Sequence, residues 1–152
     1  MKRQDKYPET RTFHFYNANP RGRISTDCVI RAICTALDQP WEQTMLELTD
    51  LGIKLGHTAT NKDTYTKYLE QKGFGKYKQP RKPDNTKYTG VEWCNWLQAN
   101  AKHDPRYSGC NAIIAHIGGH HIVCIKPADG LFKVHDTWDS TDGCIGNYWV
   151  VR

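Results

Sequence analysis

A cysteine, a pair of histidines and an aspartate follow one another along this chain at positions where each could take part in thiol chemistry. Cys28 follows Thr26 and Asp27 and opens the apolar helical pattern "CVIRAICTAL". A helix N-terminus favours a nearby anion by about 0.3–1 kcal/mol, and by up to about 2 when it is partly buried. One pKa unit corresponds to about 1.4 kcal/mol. The helix alone therefore does not make a thiolate at neutral pH, and a nucleophilic Cys28 needs an imidazolium partner. Without one, a free thiol packs as a small hydrophobe.

Of the seven histidines, His116, His120, His121 and His135 lie towards the C-terminal end. In "GGHHIVCI" two glycines lead into His120 and His121 at the mouth of an apolar run, where backbone or substrate can come close. Side chains alternate along a strand. His121 then shares a face with Val123 and Ile125, and His120 with Ile122 and Cys124. On the next run, "LFKVHDTW", Asp136 shares a face with Val134 and Phe132. A carboxylate in an apolar layer is costly unless paired, and a histidine on the neighbouring strand can pair it. Cys28 as nucleophile, a histidine at the start of the strand as base and Asp136 as the carboxylate that orients the base would make a triad. Trp138 and Asp139 fall at its edge. Asp139, with Ser140 and Asp142, reads as a turn; Trp138 reads either as a cover that limits water or as a core anchor. Asp136→Asn is expected to leave the fold intact.

Particular elements must hold these residues. Residues 12–17 alternate enough for a short strand or an extended arm, and "NPRGR" after them is a turn. Thr26 or Asp27 offers a capping side chain to a helix over 28–37 that buries Val29, Ile30, Ile33, Ala36 and Leu37. Further helices are expected over 40–56, with Gly52 at or near the end, over 61–74, with Gly73 past its last turn, and over 89–101. The runs 111–117, 120–127, 131–138 and 147–152 read as strands, with "PADG" as a hairpin turn. Helices first and antiparallel strands after is an α+β pattern. It is expected as one domain, 1–152, with an N-terminal arm (1–24), a helical half (25–101) and a β half (111–152).

A chain of 152 residues, 38% hydrophobic and 24% charged, can bury a core of its own. No run approaches the roughly 18 apolar residues of a membrane span, and the basic N-terminus has no apolar stretch behind it, so no secretory signal is read there. The six cysteines include no C-x-x-C pair, which argues against a zinc ribbon. They read as reduced thiols of a cytoplasmic protein. The net charge is +5, with basic residues concentrated in 1–23 and 62–87. The stretch "KYKQPRKPDNTKY" (76–88) reads first as a solvated connecting loop, and second as a nucleic-acid contact through Tyr77 and Tyr88.

The order Cys, His, Asp resembles that of papain-like cysteine peptidases, and especially the compact bacterial double-glycine (bacteriocin-transporter type) peptidases. "DCVIRAI" is similar to that family's nucleophile motif, "GHHIVCI" to the histidine that opens a hydrophobic strand, and "VHDT" to the aspartate closing the next strand. "NP…DC…RA" and "DTWDS" also resemble features of small bacterial and phage-associated proteins. The resemblance covers 17–34 and 116–140 and says little about 40–110. It implies a papain-like fold in which Cys28 starts a central helix packed on a C-terminal antiparallel sheet. It also implies Cys28, His121 and Asp136 as nucleophile, base and orienter, which leaves His120 at the site edge. Two positions depart from the family: Val29 stands where a glycine is usual, and Gly22 where a glutamine completes the oxyanion hole. Asn17 or Asn19 is the candidate replacement for that amide.

The function implied is a thiol hydrolase, a cysteine peptidase or isopeptidase working through an acyl-enzyme on a peptide or protein substrate, with no cofactor, metal, nucleic acid or membrane. The alternative is a non-catalytic interaction module on the same scaffold, using the basic loop to hold a partner. A metal site built from His116, His120, His121, His135 and Asp139 is a third reading, with no standard ligand spacing behind it.

Overall fold

The computed structural model describes all of residues 1–152. In chain order the elements are α1 (Arg3–Lys6), β1 (Phe13–Phe15), α2 (Cys28–Leu37), α3 (Trp41–Leu55), α4 (Lys62–Gln71), β2 (Lys76–Tyr77), α5 (Gly90–Asn100), β3 (Ala112–Ile117), β4 (His121–Ala128), β5 (Leu131–Asp136) and β6 (Ile145–Val151). Together they form an α+β fold around one six-stranded mixed sheet, ordered β1-β5-β4-β3-β6-β2. No helix is long and apolar enough to cross a membrane.

The sheet separates two cores, and the alternation of β3 and β4 assigns residues to each. Ile114, Ile122, Cys124 and Trp149 face the helical layer, against Val29, Ile30 and Ile33 of α2, Leu48 of α3 and Leu69 of α4. Ile113, Val123, Ile125, Val134 and Tyr148 face the other way, against Trp93, Cys94 and Leu97 of α5. β3 is apolar on both faces because both are covered. The four predicted strands are present, with β6 starting two residues early. "PADG" closes the β4–β5 hairpin with Asp129 and Gly130 both at positive φ (54° and 79°), the backbone a tight two-residue turn requires.

Three expectations need correction and one is narrowed. The sheet is neither confined to the C-terminal half nor wholly antiparallel. β1, from the N-terminal arm, adds in parallel to β5, pairing Phe15 with Asp136, and β2 adds to β6. Gly52 lies close to the end of α3, one of the two expected placements, but does not end it: the helix runs to Leu55 and closes on Gly56 in the left-handed conformation. Gly52 is inside the helix because a Cβ there would stand 2.6 Å from the His57 carbonyl oxygen. Neither Thr26 nor Asp27 caps α2 with a side-chain hydrogen bond. The 76–88 segment is more structured than a solvated loop: Tyr77 stacks on Tyr148 with centroids 5.2 Å apart, and Tyr88 is buried.

Candidate active site

Cys28 is the first residue of α2, half-buried at the end of the sheet where β4 begins. Gly118 and Gly119, both at positive φ, turn the chain from β3 into β4 and leave the approach to His121 free of side chains. His121 opens β4. Its Nε2 lies 2.5 Å from Oδ2 of Asp136, which leaves Nδ1 to serve the Cys28 thiol. Cys28 and His121 line the same cleft, and His121, then the Ile122 backbone, favour the ionised form of the thiol. His120 is exposed and lines a cleft beside Cys28. The structure therefore brings Cys28, His121 and Asp136 together and leaves His120 outside the set.

The electrostatics follow from this placement. Burial raises the Cys28 pKa, but hydrogen bonding and charge from His121 outweigh it and hold the thiol below its ordinary value. Burial opposes protonation of His121, yet Asp136 and then Cys28 bring its pKa up to about 9. Asp136 is 1% exposed; burial works against its charge, and His121 and Arg31 more than offset that, keeping it ionised. The three shifts all favour the charged forms, the direction of a thiolate–imidazolium pair backed by a carboxylate. The other thiols differ: burial pushes Cys34 up to about 11 and Cys94 and Cys124 up to about 12.

Arg31 is the site residue that reading the sequence missed. It lies one turn along α2, buried, and bridges two carboxylates. Its Nη1 donates to Oδ1 of Asp136 at 2.6 Å, and its Nε donates to Oδ1 of Asp27 at 2.8 Å. Oδ2 of Asp27 in turn accepts from the Asn19 side chain and from Trp41 Nε1. This is why Asp27 does not cap the helix: both of its oxygens are engaged elsewhere. The signal was present, since Arg31 interrupts an apolar helical pattern four residues after Asp27, the spacing of a helical ion pair.

The other candidates divide as follows. Trp138 lies against His121, with ring centroids 5.0 Å apart, and lines the cleft on that side. Asp139 holds its own turn, accepting from the backbone N–H and hydroxyl of Thr141. Asn17 and Asn19 do not supply an oxyanion donor at the thiol: Asn17 donates to the Arg23 carbonyl and Asn19 to Asp27, and neither lines a cleft with Cys28. The donors left near the sulfur are backbone N–H groups of the uncapped first turn of α2. The histidines of the metal reading are dispersed: His116 pairs with Tyr65, His121 with Asp136, and His135 packs on His14.

Asp136→Asn is now expected to have two effects. It slows Cys28 alkylation at pH 6, because a neutral amide no longer favours the imidazolium. It also lowers stability, because Arg31 loses a buried charged partner, while the fold is still expected to stay intact. Asp139→Asn should change alkylation little. Mass-spectrometric alkylation rates and urea melts of both variants decide it; the opposite ranking would move the orienting role to Asp139.

No protein-family model, curated protein or solved structure matches the chain.

Proposed function

We propose that this protein is a thiol hydrolase with a papain-like arrangement, acting on peptide or isopeptide bonds through an acyl-enzyme. The observation that carries the reading is the half-buried Cys28 at a helix start, set against a His121 whose far nitrogen is bound by the buried Asp136.

The Cys28 thiolate attacks the carbonyl carbon, a C–S bond forms, and the C=O π electrons move onto oxygen. Backbone N–H groups at the start of α2 face the developing oxyanion. As the oxyanion collapses, the C–N bond breaks and protonated His121 gives its proton to the departing amine. Water then adds to the thioester while neutral His121 takes its proton. The carboxylic acid leaves and the thiolate–imidazolium pair is restored. Asp136 holds the ring in the tautomer that presents Nδ1 to sulfur and favours its cation. With no side-chain amide at the oxyanion position, turnover is expected about 10²–10³ below that of a site with both donors.

p-Nitrophenyl acetate tests the reading without knowledge of the natural substrate. The expected result is a stoichiometric burst of p-nitrophenol, one acetyl group on Cys28 by mass spectrometry, and slow turnover. The burst should vanish in Cys28→Ala, and deacylation should stall in His121→Ala. Acetylation spread over lysines with no Cys28 adduct would overturn it and favour a binding module.

A further inference from the structure

We propose that the cleft leading from Cys28 past His116 to Asn147 receives the acyl half of an acidic polypeptide, with Lys62 and Lys87 selecting it. This deepens the thiol-hydrolase reading and rests on it.

Two clefts meet at Cys28. One contains the His121 ring and Trp138. The other, of about 540 Å³, holds Lys62, Tyr65, His116 and Gly119. It adjoins a further hollow of about 250 Å³ that shares His116 and Gly119 and adds Gln79, Lys87 and Asn147. The amine half of a substrate must lie over His121, which delivers its proton, so it belongs in the Trp138 cleft. The acyl half then extends the other way, along the Lys62–Lys87 arm.

No carboxylate lines that arm. Most acids of the neighbouring segments are engaged elsewhere: Asp63 faces His57, Glu92 pairs with Lys82, Asp84 holds Thr86 and Asp139 holds Thr141; Asp142 is exposed in the turn before Cys144 and does not line the arm. Lys62 and Lys87 form neither an ion pair nor a side-chain hydrogen bond, and Lys76 adds its charge nearby, over the Trp149 ring. Charge from Lys62 and Lys76 reaches the arm itself: after burial, these two hold His116 down to about 4. His116 is therefore uncharged at neutral pH and adds no cation. A cleft with unpaired cations and low-dielectric walls concentrates field on an anionic chain lying in it. The groove wall is Tyr65, Val29 and Ile122 next to the thiol, which suits an extended chain whose acidic side chains reach the lysines beyond it.

The test uses the full chain and a fluorescein-labelled dodecapeptide of Glu, Asp and Ser. By anisotropy, Cys28→Ala should bind it at least ten-fold more tightly than a Gln/Ser peptide of the same length, and the advantage should shrink from about 0.05 to 0.3 M salt. Lys62→Glu/Lys87→Glu should lose roughly ten-fold, about two surface ion pairs. Lys54→Glu/Lys67→Glu, the same charge change on α3 and α4 away from the cleft, should lose little. In the unsubstituted protein the acidic peptide should slow iodoacetamide labelling of Cys28. Equal binding of the two peptides, equal losses in the two double variants, binding without protection of Cys28, or tighter binding of a 12-base-pair DNA duplex would each overturn the proposal. A Cys28 without enhanced reactivity would instead count against the catalytic reading, and the peptide preference would be read separately from it.

Discussion

Cys28 will be carboxamidomethylated by iodoacetamide at pH 6 faster than any other cysteine in the protein, with a rate that climbs less steeply with pH than theirs. Cys144, exposed and on the far side of the cleft, is the internal control. An ordinary thiol with a pKa near 8.5 is roughly 0.3% thiolate at pH 6, and its rate climbs about ten-fold per pH unit. Cys28, held below its ordinary value by His121, carries a larger thiolate fraction there. A less basic thiolate is intrinsically slower, which removes part of that advantage, so about ten-fold remains at pH 6. The sign of the pH dependence follows from the shifts. The His121 pKa is raised from 6.5 to about 9, so its contribution to stability is fully present below about 6.5 and is lost as pH rises through 9. Cys28 and Asp136 are shifted down, so their contributions are lost as pH falls. The ion pair therefore occupies the window between. Time-resolved labelling with peptide mapping measures it; a Cys28 rate that tracks Cys144 at every pH would remove the activated thiol.

Arg31→Met will destabilise the protein by about 3–5 kcal/mol, the usual consequence of removing one member of a buried ion network. Asp27 is 5% exposed and Asp136 1%. Without the guanidinium, Asp27 keeps only neutral donors and Asp136 only His121 and the Thr137 N–H. For a domain of this size the loss corresponds to a fall in Tm of roughly 6–20 °C. Arg31→Lys should lose nearly as much, because one ammonium cannot span the two carboxylates that Nε and Nη1 reach. Low pH should narrow the gap between variant and parent, since Asp27 and Asp136 are both held ionised by Arg31 and their contribution is lost as they protonate. A melt within about 1 kcal/mol of the parent would show that the network can relax around its loss.

Much of this site could be read in the sequence because it depends on local periodicity. The apolar spacing after Asp27 placed Cys28 at a helix start, and strand parity put His121 and Asp136 on matching faces of adjacent strands. What could not be read depends on distant pairing. β1 is three residues long and carries no local sign that it joins β5, more than a hundred residues on. Gly52 looked like a helix end because its reason for being glycine is the returning chain at His57 and Thr58. Asp27 looked like a cap because its partners, Asn19 and Trp41, come from either side of the helix. Asn17 and Asn19 looked like oxyanion donors because only the folded loop shows where their amides are engaged.

The placement of β1 also bears on when the protein acquires its chemistry. Phe13 pairs with Val134 and Phe15 with Asp136, while β6, which follows β5 in the chain, is interior to the sheet. Contacts this far apart close slowly, since the intervening chain must give up its freedom before they form. During synthesis Cys28 leaves the ribosome before His121 and Asp136, and β6 leaves after them. Until then Cys28 is a thiol of ordinary acidity. Its reactivity should arise in one late cooperative event, leaving the unfinished chain chemically quiet.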